Sequence, residues 1–105
     1  MNDIKLLLGK RIKELRKAQK ISQQQLAEAA NIDQRSLSHI ECGDTFPSKA
    51  LLELAQALRV DLKELFDFEH LAINTYDMKQ FIINEIDTLS EENIKTIYRF
   101  IKSMK

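Results

Sequence analysis

The sequence predicts an all-α protein, with a group of five short helices forming one compact domain and a helical hairpin after it. Three observations carry that prediction. Apolar residues recur at spacings of three and four through most of the chain, the period of helices that bury one face. Only two glycines and one proline interrupt the pattern, so breaks are few and local. Short polar residues able to cap a helix stand just before several of the apolar runs.

Helix 1 is expected from about Asp3 to Gln19, with Ile4, Leu8, Ile12 and Leu15 as its apolar stripe and basic residues between them. Ser22 opens the run SQQQLAEAA, where Ser22 and Gln25 have the spacing of a capping box, and helix 2 runs from there to about Ala30. Asn31 stands where the chain must turn, because Asn tolerates a left-handed backbone better than most residues. Ile32 would plug that corner and Asp33 would cap helix 3, which carries Leu37 and Ile40 inward and stops at Gly43. The segment DTFPS is a loop, after which Ser48 or Thr45 would cap helix 4 with its stripe of Leu51, Leu54, Ala55 and Leu58. Val60 and Asp61 start a short helix 5 through Leu62, Leu65 and Phe66.

The first domain is thus expected over residues 1–67. Residues 68–76 lose the period and read as a linker, and residues 77–105 regain it as a hairpin. Met78, Phe81, Ile82, Ile86 and Leu89 line its first helix. Ser90 would cap the second, Leu89 and Ile94 would form a hydrophobic staple, and Ile94, Ile97, Tyr98, Ile101 and Met104 make the next stripe. Either the hairpin packs back onto the domain, or Phe81, Ile82, Ile86, Ile94, Ile97, Tyr98 and Ile101 pair it with a second copy; the favoured expectation is a homodimer.

Composition narrows the function. With 105 residues the chain supports a single core and an appendage, not a large enzyme. No apolar run approaches the ~20 residues of a membrane span, and no secretory signal pattern opens the chain. One cysteine, Cys42, cannot form an internal disulfide, so a cytoplasmic protein is expected. Net charge is zero, yet residues 1–20 hold seven basic side chains against Asp3 and Glu14. One basic face could therefore approach a polyanion even though the chain as a whole is neutral. No glycine-rich phosphate loop, cofactor motif or third group beside Cys42 and His39 suggests catalysis, and His39 with Cys42 supplies only two of the four ligands of a structural zinc site. No cofactor and no metal are expected.

The stretch IKELRKAQKISQQQLAEAANIDQRSLSHIECGDTFPSKALLELAQALRVDLKELF resembles the XRE-like family of phage repressors and Cro proteins. The register of Gln23, Leu26, Ala27, Ile32, Ile40, Glu41, Gly43, Leu58 and Val60 carries the likeness, which covers roughly residues 4–67. The residues agree with it on physical grounds. Ala27 is small where two helices must cross closely, and the outward face of helix 3 holds only polar groups able to read base edges.

The resemblance implies a five-helix, phage-repressor-like DNA-binding domain. It implies a sequence-specific regulator, a repressor that inserts helix 3, about residues 34–42, into the major groove of double-stranded DNA as a dimer. By position it makes Gln34, Arg35, Ser38 and His39 the base readers, with Arg35 suited to guanine and Gln34 to adenine. It gives backbone contacts to Ser22, Gln23, Ser36, Lys49 and Lys10, and a structural ion pair to Arg16 and Glu41.

Two positions depart from the pattern. Asp44 follows Gly43 where many members carry Lys or Arg, and it would repel phosphate; Cys42 replaces a commonly polar or basic residue. Two other functions fit the same sequence. One is an antitoxin that uses the DNA-binding head and gives the C-terminal helices to a protein partner, a toxin or antirepressor. The other is an interaction module that keeps the fold without reading DNA, a reading motivated by the zero net charge and Asp44.

Overall fold

A computed structural model of the chain describes residues 4–105; Asp3, expected to open helix 1, lies outside the described residues. Among the described residues all regular structure is helical, in the order α1 (Ile4–Ala18), α2 (Gln23–Ala29), α3 (Gln34–Glu41), α4 (Leu51–Leu58), α5 (Leu62–Leu65), α6 (Glu69–Ala72), α7 (Thr75–Ile86) and α8 (Glu91–Ser103). The chain forms two compact units, one ending at Ala72 and the other spanning Ile73–Lys105.

In the first unit α2, α3 and α5 start on side-chain caps, and α1 to α4 each stop at a left-handed residue. Ser22 and Gln25 form a reciprocal capping box at α2, with bonds of 3.0 and 2.7 Å, and Asp61 with Glu64 does the same for α5. Asp33 accepts the Arg35 amide at 3.2 Å and so starts α3. At the other ends the same device appears four times. Lys20, Asn31, Gly43 and Arg59 have φ of 59°, 57°, 82° and 59°. In each case two amides turn back to the last helical carbonyls, as when Asn31 N–H donates to the Glu28 carbonyl and Ile32 N–H to the Ala27 carbonyl. Such Schellman turns satisfy orphan carbonyls and reverse the chain within two residues.

The reversals let α1 to α5 enclose one core of Leu8, Ile12, Leu26, Ala27, Ala30, Leu37, Ile40, Leu54, Ala55, Leu58 and Leu65. Leu15, Ile32, Phe46, Val60 and Phe66 seal its edges. Ala27, 1% exposed, lies in this core and its carbonyl accepts the Ile32 amide of the α2–α3 turn; a larger side chain there would overpack the core.

Three expectations need correction. On α1, Leu8 and Ile12 are buried and Leu15 packs on the core as the spacing suggested, but Ile4 is half exposed, and Leu7 and Gly9 are buried where the stripe did not place them. Gly9 lies against the backbone carbonyls of Ile40 and Glu41, so the absence of a Cβ lets this side of α1 approach the end of α3 closely. Neither Ser48 nor Thr45 caps α4. The loop closes instead through its own backbone, Ser48 N–H to the Phe46 carbonyl and Ala50 N–H to the Pro47 carbonyl, and Ala50, which has no side-chain acceptor, stands at the cap. Within the stretch expected as a linker, Glu69–Ala72 form the single turn α6, packed on α1. One turn is too short to show a period.

In the second unit, Asn74 caps α7 by accepting the Asp77 amide at 2.8 Å, and Ser90 caps α8 by accepting the Asn93 amide at 3.2 Å. Between them the Thr88 and Leu89 amides return to the Glu85 and Ile86 carbonyls, ending α7 in a tight turn. No residue of either helix is buried. Phe81, Ile82, Ile86, Ile94, Tyr98 and Ile101 are exposed, as are Ile83 and Phe100, which the stripes drawn from spacing omit.

Candidate nucleic-acid interface

The corner between α2 and α3 fixes what α3 presents. Its two buried aliphatic residues, Leu37 and Ile40, lock one face into the core, and Ile32 wedges the turn. A helix held on that side must expose the other. Gln34, Arg35, Ser36 and His39 are exposed on it and Ser38 is half-buried at its edge. No apolar side chain interrupts this face, which carries donors and acceptors of the kinds that pair with base edges.

The residues around α3 divide into committed and uncommitted groups. The Arg16 guanidinium makes two parallel bonds to the Glu41 carboxylate, 2.8 and 3.0 Å, and a third to the Ile21 carbonyl. Glu41, whose side chain is 3% exposed, also accepts the Gln23 amide at 3.1 Å. A carboxylate can only accept, so the Gln23 nitrogen faces inward and one of its two N–H groups is spent. The Ser22 hydroxyl accepts the Gln25 amide. Lys10 and Lys49 are exposed. Ser36 and Lys49 sit on the rim of a hollow of about 440 Å3 that also includes Ile32, Phe46 and Pro47.

His39 Nδ1 lies 3.3 Å from Asp44 Oδ2. Cys42 is exposed at the C-cap of α3, and no cluster of three or more metal-binding side chains occurs among the described residues.

Three features of this unit were not anticipated from sequence. Gly9 is the close-approach residue of α1; a glycine in the middle of a helical pattern was the available signal. Gln19 donates to the Leu58 carbonyl, tying α1 to the end of α4. Arg11 and His70 both bond Glu14, His70 at 2.9 and 3.0 Å and Arg11 at 2.6 Å, while Arg11 also reaches the Glu64 carbonyl. Burial raises the Glu14 pKa, but the hydrogen bonds and charges of Arg11 and His70 outweigh it and hold the carboxyl below its ordinary value.

The fold and this face agree with a known family. A helix-turn-helix family model, HTH_3, matches residues 12–65, more than half of the chain. The chain belongs to this helix-turn-helix family. The XRE-type resemblance is therefore borne out, and the chain is a DNA-binding transcriptional regulator, not an enzyme.

Among solved structures, the helix-turn-helix chain is similar to the restriction-modification controller protein C.AhdI from Aeromonas hydrophila. The identity is 34% and the TM-score 0.56, over 58% of this chain and 94% of that one. The clp gene regulator ClgR from C. glutamicum shares the fold at 20% identity and a TM-score of 0.64, over 71% of this chain and 99% of that one. The SinR protein/SinI protein complex contains a chain at 24% identity and a TM-score of 0.56, over 92% of this chain and 96% of that one. No curated protein matches the sequence at a significant level. No helix among the described residues is long and apolar enough to cross a membrane.

Proposed function

We propose that this helix-turn-helix protein is a sequence-specific transcriptional repressor that lays α3 in the major groove and binds its operator as a homodimer. The observation that carries the proposal is the two-sided character of α3. Leu37 and Ile40 are buried while Gln34, Arg35, Ser36 and His39 stand exposed together. A polar helix face fixed to a rigid core is what major-groove reading requires. Arg35 would bond the two groove acceptors of guanine and Gln34 would suit adenine, with Ser38 and His39 further along. Lys10, Lys49, Ser36, Ser22 and the second N–H of Gln23 would meet phosphates and set the register.

The second unit supports dimerisation. Its exposed apolar residues are many for a segment of this size, and on α7 they extend from Phe81 through Ile82 to Ile83, an arc of roughly 200°. Burial against a second copy removes that surface from water and tethers two heads on one site.

Selecting bound sequences from a random DNA pool, then measuring affinity for the winner against salt, tests the proposal. A selected sequence whose affinity falls steeply with added salt supports it. A pool that yields no preferred sequence, or a log-log salt slope near zero, refutes it.

A further inference from the structure

The end of α3 is built so that Asp44 lies against His39. Gly43 takes the left-handed conformation, the Gly43 amide donates to the Ile40 carbonyl at 3.1 Å, and the Asp44 amide donates to the His39 carbonyl at 2.9 Å. This Schellman turn brings residue 44 back over residue 39, leaving its carboxylate 3.3 Å from His39 Nδ1. A carboxylate at neutral pH has no proton to give. The Nδ1 atom must therefore carry the hydrogen, and in the neutral ring Nε2 is then a bare acceptor.

The remaining side of the ring is available to a ligand. His39 is 53% exposed, and among the described residues no protein group is bonded to Nε2. Arg35, one turn earlier on the same helix, can only donate. In the major groove, guanine offers acceptors, whereas the exposed donors are the N6 amino group of adenine and the N4 amino group of cytosine.

We propose that Asp44 is a positioning residue for base choice: it holds His39 in the tautomer whose Nε2 accepts, so that His39 selects an adenine or cytosine amino group. This rests on the reading that α3 occupies the major groove. It also gives Asp44 a use that its repulsion of phosphate does not. Repulsion lowers affinity for every sequence alike, whereas tautomer control acts at one base pair. Without Asp44 the ring is free to place its proton on Nε2 and to donate to guanine instead.

Two measurements on the full chain test this, both made at a pH where the nitrogen spectrum itself shows a neutral His39 ring. In nitrogen NMR of the free protein, wild-type His39 should show a protonated-type Nδ1 and an unprotonated-type Nε2, and Asp44→Ala should lose that bias. In selections from a random DNA pool, Asp44→Ala should weaken the preference for adenine or cytosine at one position by roughly fivefold, since one hydrogen bond discriminates less than a bidentate pair. His39→Ala should erase preference at that same position. A protonated-type Nε2 in the wild type overturns the inference, as does an unchanged preference in Asp44→Ala. If Arg35→Ala alters preference elsewhere in the site while Asp44→Ala changes none, the tautomer inference alone falls. If neither Arg35→Ala nor His39→Ala alters any preference, the groove reading falls and the inference with it.

Discussion

Arg16 on α1 and Glu41 at the end of α3 are joined by two parallel hydrogen bonds of 2.8 and 3.0 Å, with side chains only 11% and 3% exposed. The pair fastens the helix that would read DNA to the helix that starts the core. Replacing one partner strands a charge that water cannot reach. Arg16→Met should destabilise the protein by about 3–5 kcal/mol, the range for an orphaned buried charge. The double variant Arg16→Met with Glu41→Leu should cost clearly less than the two single variants summed. Denaturant midpoints of the four proteins check this double-mutant cycle.

Gly9 gives a second stability test. A Cβ there would overlap the carbonyl oxygens of Ile40 and Glu41, which are backbone atoms and cannot swing aside. Alanine gains roughly 1 kcal/mol of helix propensity over glycine, but forcing α1 from α3 costs typically 1–3 kcal/mol. Overpacking should win on balance, so Gly9→Ala should lower the thermal midpoint.

The pH dependence of the first unit should show Glu14. Its pKa in the folded protein lies below the ordinary 4.5, so the ionised carboxylate contributes stability that is fully present above that value. That contribution is lost as pH falls through the lowered value, when protonation disrupts the bonds from Arg11 and His70. Glu14→Gln should therefore flatten the acid limb of a stability profile taken from about pH 6 to about pH 3.

Much of the helical architecture was legible because local chemistry and apolar period agree at the same places. Ser22–Gln25, Asp33, Asn31 and Gly43 each mark a helix end by a side chain or backbone preference that acts within a few residues. The left-handed turns at Lys20 and Arg59 left no such trace, since tertiary closure imposes them on residues with no preference for that conformation. Glu14–His70 is a contact between residues 56 apart, and nothing in either residue's neighbourhood points to the other. The polar face of α3 could be read from Leu37 and Ile40 alone; the link from Gln23 to Glu41 needed the packed corner.

Cutting the chain after Ala72 separates the proposed roles of the two units. The core of Leu8, Ile12, Leu26, Leu37, Leu54, Leu58 and Leu65 and the α6–α1 packing lie wholly before the cut, so the head should stay folded. The full chain should sediment as a dimer and the truncated chain as a monomer. Affinity for the selected operator should fall on the order of 10² to 10⁴, the advantage of tethering two heads. A monomeric full-length chain would contradict the dimer proposal.

The account as a whole turns on α3 reading bases, and Arg35 is where that claim is most exposed. Its side chain is exposed and outside the core, and only its backbone amide, held by Asp33, serves the fold. The most direct test is to titrate Arg35→Ala against the selected operator and against unrelated DNA at one salt concentration, with a circular-dichroism melt of the same sample. The account predicts an unchanged melt, a weakening of specific binding by about 1–3 kcal/mol and relaxed choice at one base pair. Unchanged affinity and unchanged sequence preference in a folded Arg35→Ala protein would contradict it.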